Sequence, residues 1–373
     1  MKGKILFITN VDWFFLSHRL DIGLKAISEG YEVHLATSFT NCENVLISKG
    51  FKTHKLDIDR CNTNIFNSLR TLLNIFLITY KIQPDIIHSI TIKPVLFGGM
   101  VSRLFRRIKF VASISGLGYL FISKSKLNKI IRSFVKILYR LSLSQKKIKV
   151  IFQNNNDERI ITKFCKLKSQ DRILIPGSGI NLDFFKPNKI KNSSKIVLFA
   201  SRLLISKGIL EFIKSAEALK DSGYKFLVAG KLDIDNPDCI SKPELDVYVN
   251  KGIVEYLGEV KNIKDLLLKS KIVVLPSFYG EGLPKILIEA AACGLPVITT
   301  DHPGCRDAII PDKTGILVPI KDTQSIIKGI QTLFKSPVIY ENMSKEARLL
   351  ALKKYDIKSV VKKHLEIYDQ LIN

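Results

Sequence analysis

The chain has 373 residues, 46% of them hydrophobic, and a formal net charge of +24. That length suits two domains, each able to bury its own core, and the even spread of aliphatic residues excludes a disordered tail. Six cysteines with no CxxC pair and no metal-like spacing to the six histidines exclude a disulfide framework and fit a reducing compartment.

The first residues, "MKGKILFITN", run from a charged start into a short strand, without a long apolar core or small-residue cleavage site. No signal peptide is expected. Further strands are expected at "EVHLAT", "KTHKLD", "DIIHSI", "KFVASI" and "KVIFQN". Helices are expected after Ser17 ("SHRLDIGLKAISEG", with Gly30 as the stop) and around "NSLRTLLNIFLITYK". The most lipid-like run, "LLNIFLITYKI", is too short to span a bilayer, which takes about 20 apolar residues. A soluble or peripheral protein is expected.

From Ile86 to Asn156 there is no Asp or Glu, while Lys and Arg recur throughout. Within it, Lys126, Lys129, Arg132, Lys136 and Arg140 flank a helical-period apolar set at Ile130, Ile131, Phe134, Ile137, Leu138 and Leu141. Three readings stay open: a core helix with a solvated basic back, a helix lying on an anionic membrane, or a nucleic-acid contact. No helix-turn-helix, RRM, KH or zinc pattern accompanies the charge, so nucleic acid is not an expected partner.

Past "KPNKIKNSSK", a polar linker near residues 186–194, strands are expected at "KIVLFAS", "KFLVAG", "IVEYLG", "KIVVLPS", "PVITT" and "GILVP". Strand and helix thus alternate throughout, the pattern of parallel sheets covered by helices. Two doubly wound domains would put a ligand at the carboxyl ends of their strands. Neither "GLG" (116–118) nor "GSG" (177–179) extends to a dinucleotide fingerprint, and there is no phosphate loop of the GxxxxGK[ST] type. Asp57/Asp59 and Asp233/Asp235 have DxD spacing, a pattern short enough to recur by chance, so no metal site is expected.

In "KIVLFASRLLISKGILEF" the turn between strand and helix carries Arg202 and Lys207, five apart. Two fixed cations beside a helix N-terminus suit a diphosphate. "SFYGEGLPKILIEAAACG" has the same layout: a loop with Glu281, then a helix with Pro284 at its first position, Glu289 in its second turn and Gly294 as the stop. Glu289 lies among Ile286, Leu287, Ile288, Ala290, Ala291, Ala292 and Cys293, where a carboxylate is costly unless paired. Sugar hydroxyls are natural partners for ionised carboxylates. A nucleoside diphosphate sugar would give Glu289 a ribose, Glu281 the transferred sugar, and the cations a diphosphate.

These two stretches resemble the Arg-x4-Lys and Glu-x7-Glu elements of the retaining glycosyltransferases of family 4 (glycosyl transferases group 1). "GSGINLDFFKP" and "GCRDAIIPDKTGILVP" are similar to other segments of that family. "NVDWFFLSHRL", "DIIHSITIKP" and "SISGLGYLF" resemble bacterial enzymes that extend lipid-linked O-antigen, capsule or N-glycan precursors, including N-acetylgalactosaminyltransferases of the bacillosamine pathway. The resemblance implies an α/β GT-B fold, two doubly wound Rossmann-like domains facing a cleft. Residues 1–186 would form the acceptor-side domain, with a basic membrane-facing region about 101–150. Residues 195–356 would bind the nucleotide sugar, and 357–373 would be a helix packing back on the first domain.

The implied reaction moves a hexose or N-acetylhexosamine, with retention, from a nucleotide sugar (a UDP-sugar above all) to a polyprenyl diphosphate-linked glycan. No cofactor or metal is implied, and the place of work is the inner face of the cell membrane. Arg202 and Lys207 would neutralise the leaving diphosphate, Glu281 would hold the donor sugar with Gly282, Leu283, Pro284 and Lys285 close by, and Glu289 would bind the ribose. Attack is implied from the front face, assisted by a diphosphate oxygen. The chain departs from the family pattern in its first domain: "NVDWFFLSHRL" stands where many relatives carry a glycine pair, and Ser115 replaces a histidine. Ser17, His18, His88 and Ser115 are the candidates on that side. The alternatives are a nucleotide-sugar epimerase, transfer to a soluble acceptor, and a basic nucleic-acid-binding protein, which would leave the four charged residues of the second half unexplained.

Overall fold

A computed structural model of the chain describes residues 2–58, 65–118, 121, 126–188 and 194–372. Asp59, Cys61 and much of the expected linker therefore lie outside the described residues. Two compact units divide the chain: Met1–Gly179 with Ile357–Asn373, and Ile180–Asp356.

The first unit holds a seven-stranded parallel sheet of Gly3–Val11 (β1), Tyr31–Ser38 (β2), Lys52–Lys55 (β3), Ile86–Ile90 (β4), Lys109–Ile114 (β5), Ile148–Phe152 (β6) and Arg172–Leu174 (β7). Its order is β3-β2-β1-β4-β5-β6-β7. The last strand was not expected, because three residues are too few to show a period. Both sheet faces are covered, which is why the strands read as aliphatic runs. Along β1, Leu6 and Ile8 enter one core and Ile5 and Phe7 the other.

The helix Ile357–Ile372 belongs to this unit, with Val360, Leu365, Ile367 and Tyr368 in the same core as Ile5 and Phe7. His88, a candidate for the acceptor side, is fully buried there. Its Nδ1 is 2.6 Å from the Tyr368 hydroxyl and its Nε2 2.8 Å from Ser113 Oγ, so both ring nitrogens are engaged within the core. Burial, with His364 and Arg19 nearby, holds His88 neutral. It is a structural residue, not a ligand contact.

The helix expected after Ser17 starts earlier, at Asp12, and is broken in two, Asp12–His18 and Leu20–Ser28. Asp12 anchors the start by accepting from the backbone amides of Trp13, Thr40 and Cys42 and from the Thr40 hydroxyl. The break falls at Arg19, whose backbone leaves helical geometry (φ −135°, ψ −4°).

The basic helix Lys126–Leu143 also differs from the simplest expectation. Tyr139 and Leu143 face the core, yet Ile130, Phe134, Ile137 and Leu141 are exposed. Helix Ile65–Ile82 likewise turns Phe66, Leu69, Leu73, Leu77 and Tyr80 outward, a stripe at helical spacing. No described helix is long and apolar enough to cross a membrane.

The second unit holds Ile196–Ala200 (β8), Lys225–Ala229 (β9), Glu255–Tyr256 (β10), Ile272–Leu275 (β11), Val297–Thr300 (β12) and Gly315–Val318 (β13), in the order β10-β9-β8-β11-β12-β13. Its boundary falls at Ile180 rather than near 186, because the intervening segment packs on this core. Ile180 and Phe185 are buried in it, the Ile180 amide donates to the Tyr355 carbonyl at 2.7 Å, and Arg348 donates to the carbonyls of Leu182 and Phe185. In this sheet the strand order reverses between β8 and β11, the place where such sheets bind ligands beyond their carboxyl ends.

Candidate active site

Both chemistry-bearing stretches leave the second sheet at that reversal. β8 ends at Ala200, and the chain passes Arg202 into a 3-10 turn, Ile205–Lys207, before the helix Ile209–Ala218. Gly208 joins turn to helix in the left-handed region (φ 82°), and a Cβ there would sit 2.3 Å from the Pro276 carbonyl oxygen. Only glycine lets this turn lie against the exit of β11. The inner face expected for the following helix, Ile209, Phe212, Ile213, Ala216 and Leu219, is buried.

The close approach brings Lys207 onto Glu281. Their charged groups form an ion pair, 9% and 14% exposed, and the Ser277 hydroxyl donates to Glu281 Oε1 at 3.0 Å. Ser277 is fully buried and also holds the loop from within, accepting from the Tyr279 amide. Arg202 donates to Asp233 Oδ2 at 2.7 Å. The Tyr279 ring lies beside both cations, 5.3 Å from Lys207 Nζ and 5.9 Å from the Arg202 guanidinium. Burial works against the charge on Arg202, but Tyr279, Asp233 and Glu281 outweigh it and raise its pKa.

Helix Lys285–Ala292 starts one residue later than expected, with Pro284 as its N-cap and Gly294 in the left-handed region just beyond its end. Gly282, Leu283 and Pro284 are buried in the approach to it. Glu289 is 6% exposed on its second turn, and Lys285 Nζ, one turn back, lies 3.5 Å from its carboxylate. Burial raises the Glu289 pKa and Lys285 offsets only part of that rise.

Four further residues complete the site, and sequence reasoning did not single them out for it. Gly304 (φ 86°) brings the loop after β12 against this one, since a Cβ there would meet the carbonyl oxygens of Glu281 and Gly282 at 2.7 and 2.8 Å. Tyr279 and Ser277 fix the cations and the loop glutamate. Asp233, read as half of a DxD pair, is the partner of Arg202. No group of metal-ligating side chains occurs among the described residues. "HPG", one residue past a buried strand, was the available signal for Gly304. Cys293 and Cys305 are buried thiols with pKa values pushed up to about 12, inert packing groups.

In the first unit, Ser17 Oγ and His18 Nδ1 are 2.6 Å apart on a partly exposed surface, with the His18 ring stacked on Phe14. Ser115, half-buried just after β5, accepts from Arg19 at 3.4 Å.

Two parallel α/β units, the second with paired cations and carboxylates at its strand-order reversal, define a GT-B glycosyltransferase architecture. The chain matches the family Glycosyl transferases group 1 over residues 181–350 and Glycosyl transferase 4-like over residues 4–155. It is 30% identical over 336 residues to the N,N'-diacetylbacillosaminyl-diphospho-undecaprenol alpha-1,3-N-acetylgalactosaminyltransferase of Campylobacter jejuni, covering 87% of each chain. It is 24% identical over 331 residues to the Escherichia coli UDP-Gal:alpha-D-GlcNAc-diphosphoundecaprenol alpha-1,3-galactosyltransferase, covering 84% of this chain and 82% of the other. The crystal structure of Anabaena HepE in complex with UDP shares the fold, with a TM-score of 0.76, 17% identity, and coverage of 98% and 100%. The protein belongs to the group 1 glycosyltransferases and is an enzyme of that class.

Proposed function

We propose that the enzyme transfers a hexose or N-acetylhexosamine, with retention, from a UDP-sugar to a polyprenyl diphosphate-linked glycan, without a metal ion. The observation that carries this is the meeting of Lys207 and Glu281, with Arg202 beside the same Tyr279 ring. A diphosphate entering there takes over the cations, and the freed carboxylate accepts from hydroxyls of the donor sugar. The amides of Gly282, Leu283 and Lys285 add donors at a helix start. Glu289 takes the ribose. Charge grows on the diphosphate as the glycosidic bond breaks, so the cations favour the transition state over the bound donor.

The lipid-linked acceptor is supported by the names of the two relatives, and UDP by the HepE complex. Seating on the inner, anionic face of the cell membrane is supported by the two exposed apolar stripes and by the acid-free basic stretch that includes one of them.

Thermal shift against a panel of nucleotides and nucleotide sugars, followed by transfer to lipid diphosphate-linked glycans, tests this. A ligand that binds only the folded state raises apparent stability by mass action. Stabilisation by UDP and its sugars with acceptor-dependent turnover is expected. Indifference to every nucleotide would overturn it, and turnover of a UDP-sugar without an acceptor would indicate an epimerase.

A further inference from the structure

Arg19 is a cation almost out of water, 2% exposed at the break between the first two helices. Its Nη1 donates to the His18 carbonyl at 3.0 Å and its Nη2 to Ser115 Oγ at a long 3.4 Å, while its buried Nε has no partner among the described residues. Among the described residues no carboxylate pairs with it. Tyr368, His88 and His364 lie around it, and none of them carries negative charge at neutral pH. Burial pushes the guanidinium down to about 10, so it stays charged while uncompensated. A buried, unpaired charge of this kind is costly and calls for an anion.

The surrounding strand ends are unsatisfied in the same way. β1 pairs with β4 and β4 with β5, with Ile8 opposite Ser89 and Ile90 opposite Ser113. Asn10 near the end of β1, Thr91 directly after β4 and Ser115 directly after β5 thus lie at the carboxyl edge of three neighbouring strands. Asn10 Oδ1 and Thr91 Oγ1 are both buried without a partner among the described residues. Thr91 also has φ +75°, strained for a β-branched residue, and caps the helix Ile92–Leu104 without a side-chain hydrogen bond. The unpartnered groups include a cationic donor, an amide oxygen and a hydroxyl. A phosphate carrying a sugar offers acceptors and hydroxyl donors to match them.

We propose that the carboxyl edge of the first sheet, at Asn10, Thr91 and Ser115 with the Arg19 guanidinium behind them, is a second anion site, and that it receives the diphosphate of the acceptor. The assignment rests on the transferase reading above: the donor's diphosphate already has Arg202 and Lys207, so the anion left to be held is the acceptor's. Arg19 is a positioning residue, acting through Ser115 and through its charge.

The probe is inorganic pyrophosphate, titrated by thermal shift at physiological salt into the full chain saturated with UDP. Wild type should show a further stabilisation, and Arg19→Met should weaken the pyrophosphate response about tenfold or more, with UDP affinity within about twofold of wild type. Arg19→Lys should recover part of the response by restoring the charge. If Arg19→Met does not fold, Ser115→Ala and Thr91→Val report on the same site from its edge and should weaken pyrophosphate by about threefold each. Equal responses in wild type and variants would mean that exposed lysines and arginines bind the probe, and would overturn the proposal. So would a fall in melting temperature with unchanged pyrophosphate affinity, or a loss of UDP affinity in its place. Should wild type ignore UDP, the transferase reading fails by itself, and the same pyrophosphate comparison without UDP still decides the role of Arg19.

Discussion

Lys207, in the turn after β8, and Glu281, in the loop after β11, are joined as an ion pair, and Ser277 donates to the carboxylate oxygen that Lys207 does not take. A pair this buried adds little net stability, yet removing one partner costs about 3–5 kcal/mol by stranding the other. Glu281→Gln keeps the shape of the side chain and removes its charge. Its kcat should fall by about 10²-fold or more, the scale of one well-placed electrostatic contact in a transition state. Arg202→Ala and Lys207→Ala should lower kcat in the same way. Steady-state donor kinetics beside melting curves check this, and wild-type kcat in Glu281→Gln would show the loop glutamate to be idle.

Asp233 is held by Arg202 at 2.7 Å, which leaves the cationic pair to carry the diphosphate's charge. Transfer should therefore survive exhaustive EDTA treatment. Complete loss, restored by Mg²⁺ or Mn²⁺, would return Asp233 and Asp235 to the role of metal ligands.

The second unit was legible because its site residues sit at fixed offsets from buried strands. An aliphatic run, a charged turn and an amphipathic helix mark the positions of Arg202, Lys207, Glu281 and Glu289 without reference to distant contacts. What pairs with each was not legible, since the Lys207–Glu281 and Arg202–Asp233 contacts join segments far apart in the chain. The 3.6-residue period could not decide between readings at Lys126–Leu143. Ile130, Phe134, Ile137 and Leu141 fit a core face and a membrane-facing one equally well, because an apolar stripe has the same period whether it meets a core or not. His88 failed as a candidate for the converse reason: only the fold brings Tyr368 and Ser113 to its two nitrogens.

That outward stripe has a measurable consequence. Co-sedimentation with liposomes should rise with anionic lipid content and fall with salt. Lys129→Glu, Arg132→Glu and Lys136→Glu together should release the protein from anionic vesicles while its melting curve stays close to wild type. Phe134→Ser with Leu73→Ser should weaken what binding remains to neutral vesicles, because both side chains are exposed and apolar. Equal binding to neutral and anionic vesicles would remove the electrostatic part.

Glu289 makes the opposite case to Glu281. In the proposed role its contact with a ribose would be much the same before and during reaction, so Glu289→Gln should raise the donor KM by about tenfold or more and leave kcat near wild type. The unliganded protein should respond in the other direction. Burial raises the folded carboxyl above its ordinary 4.5, and Lys285 at 3.5 Å offsets only part of that. A carboxyl whose folded pKa exceeds its unfolded one binds its proton more tightly in the native state. Its ionisation cost is absent below the unfolded value, grows as pH rises from there, and is complete above the folded pKa. Glutamine carries no such cost. The melting temperature of Glu289→Gln relative to wild type should therefore climb from about pH 4.5 toward neutrality without ligand, while saturating UDP should stabilise wild type more than the variant. Melting curves across that range, with and without UDP, check both halves. A variant less stable than wild type at neutral pH without UDP would show that the Lys285 pair outweighs the burial of the charge, and that Glu289 serves the core.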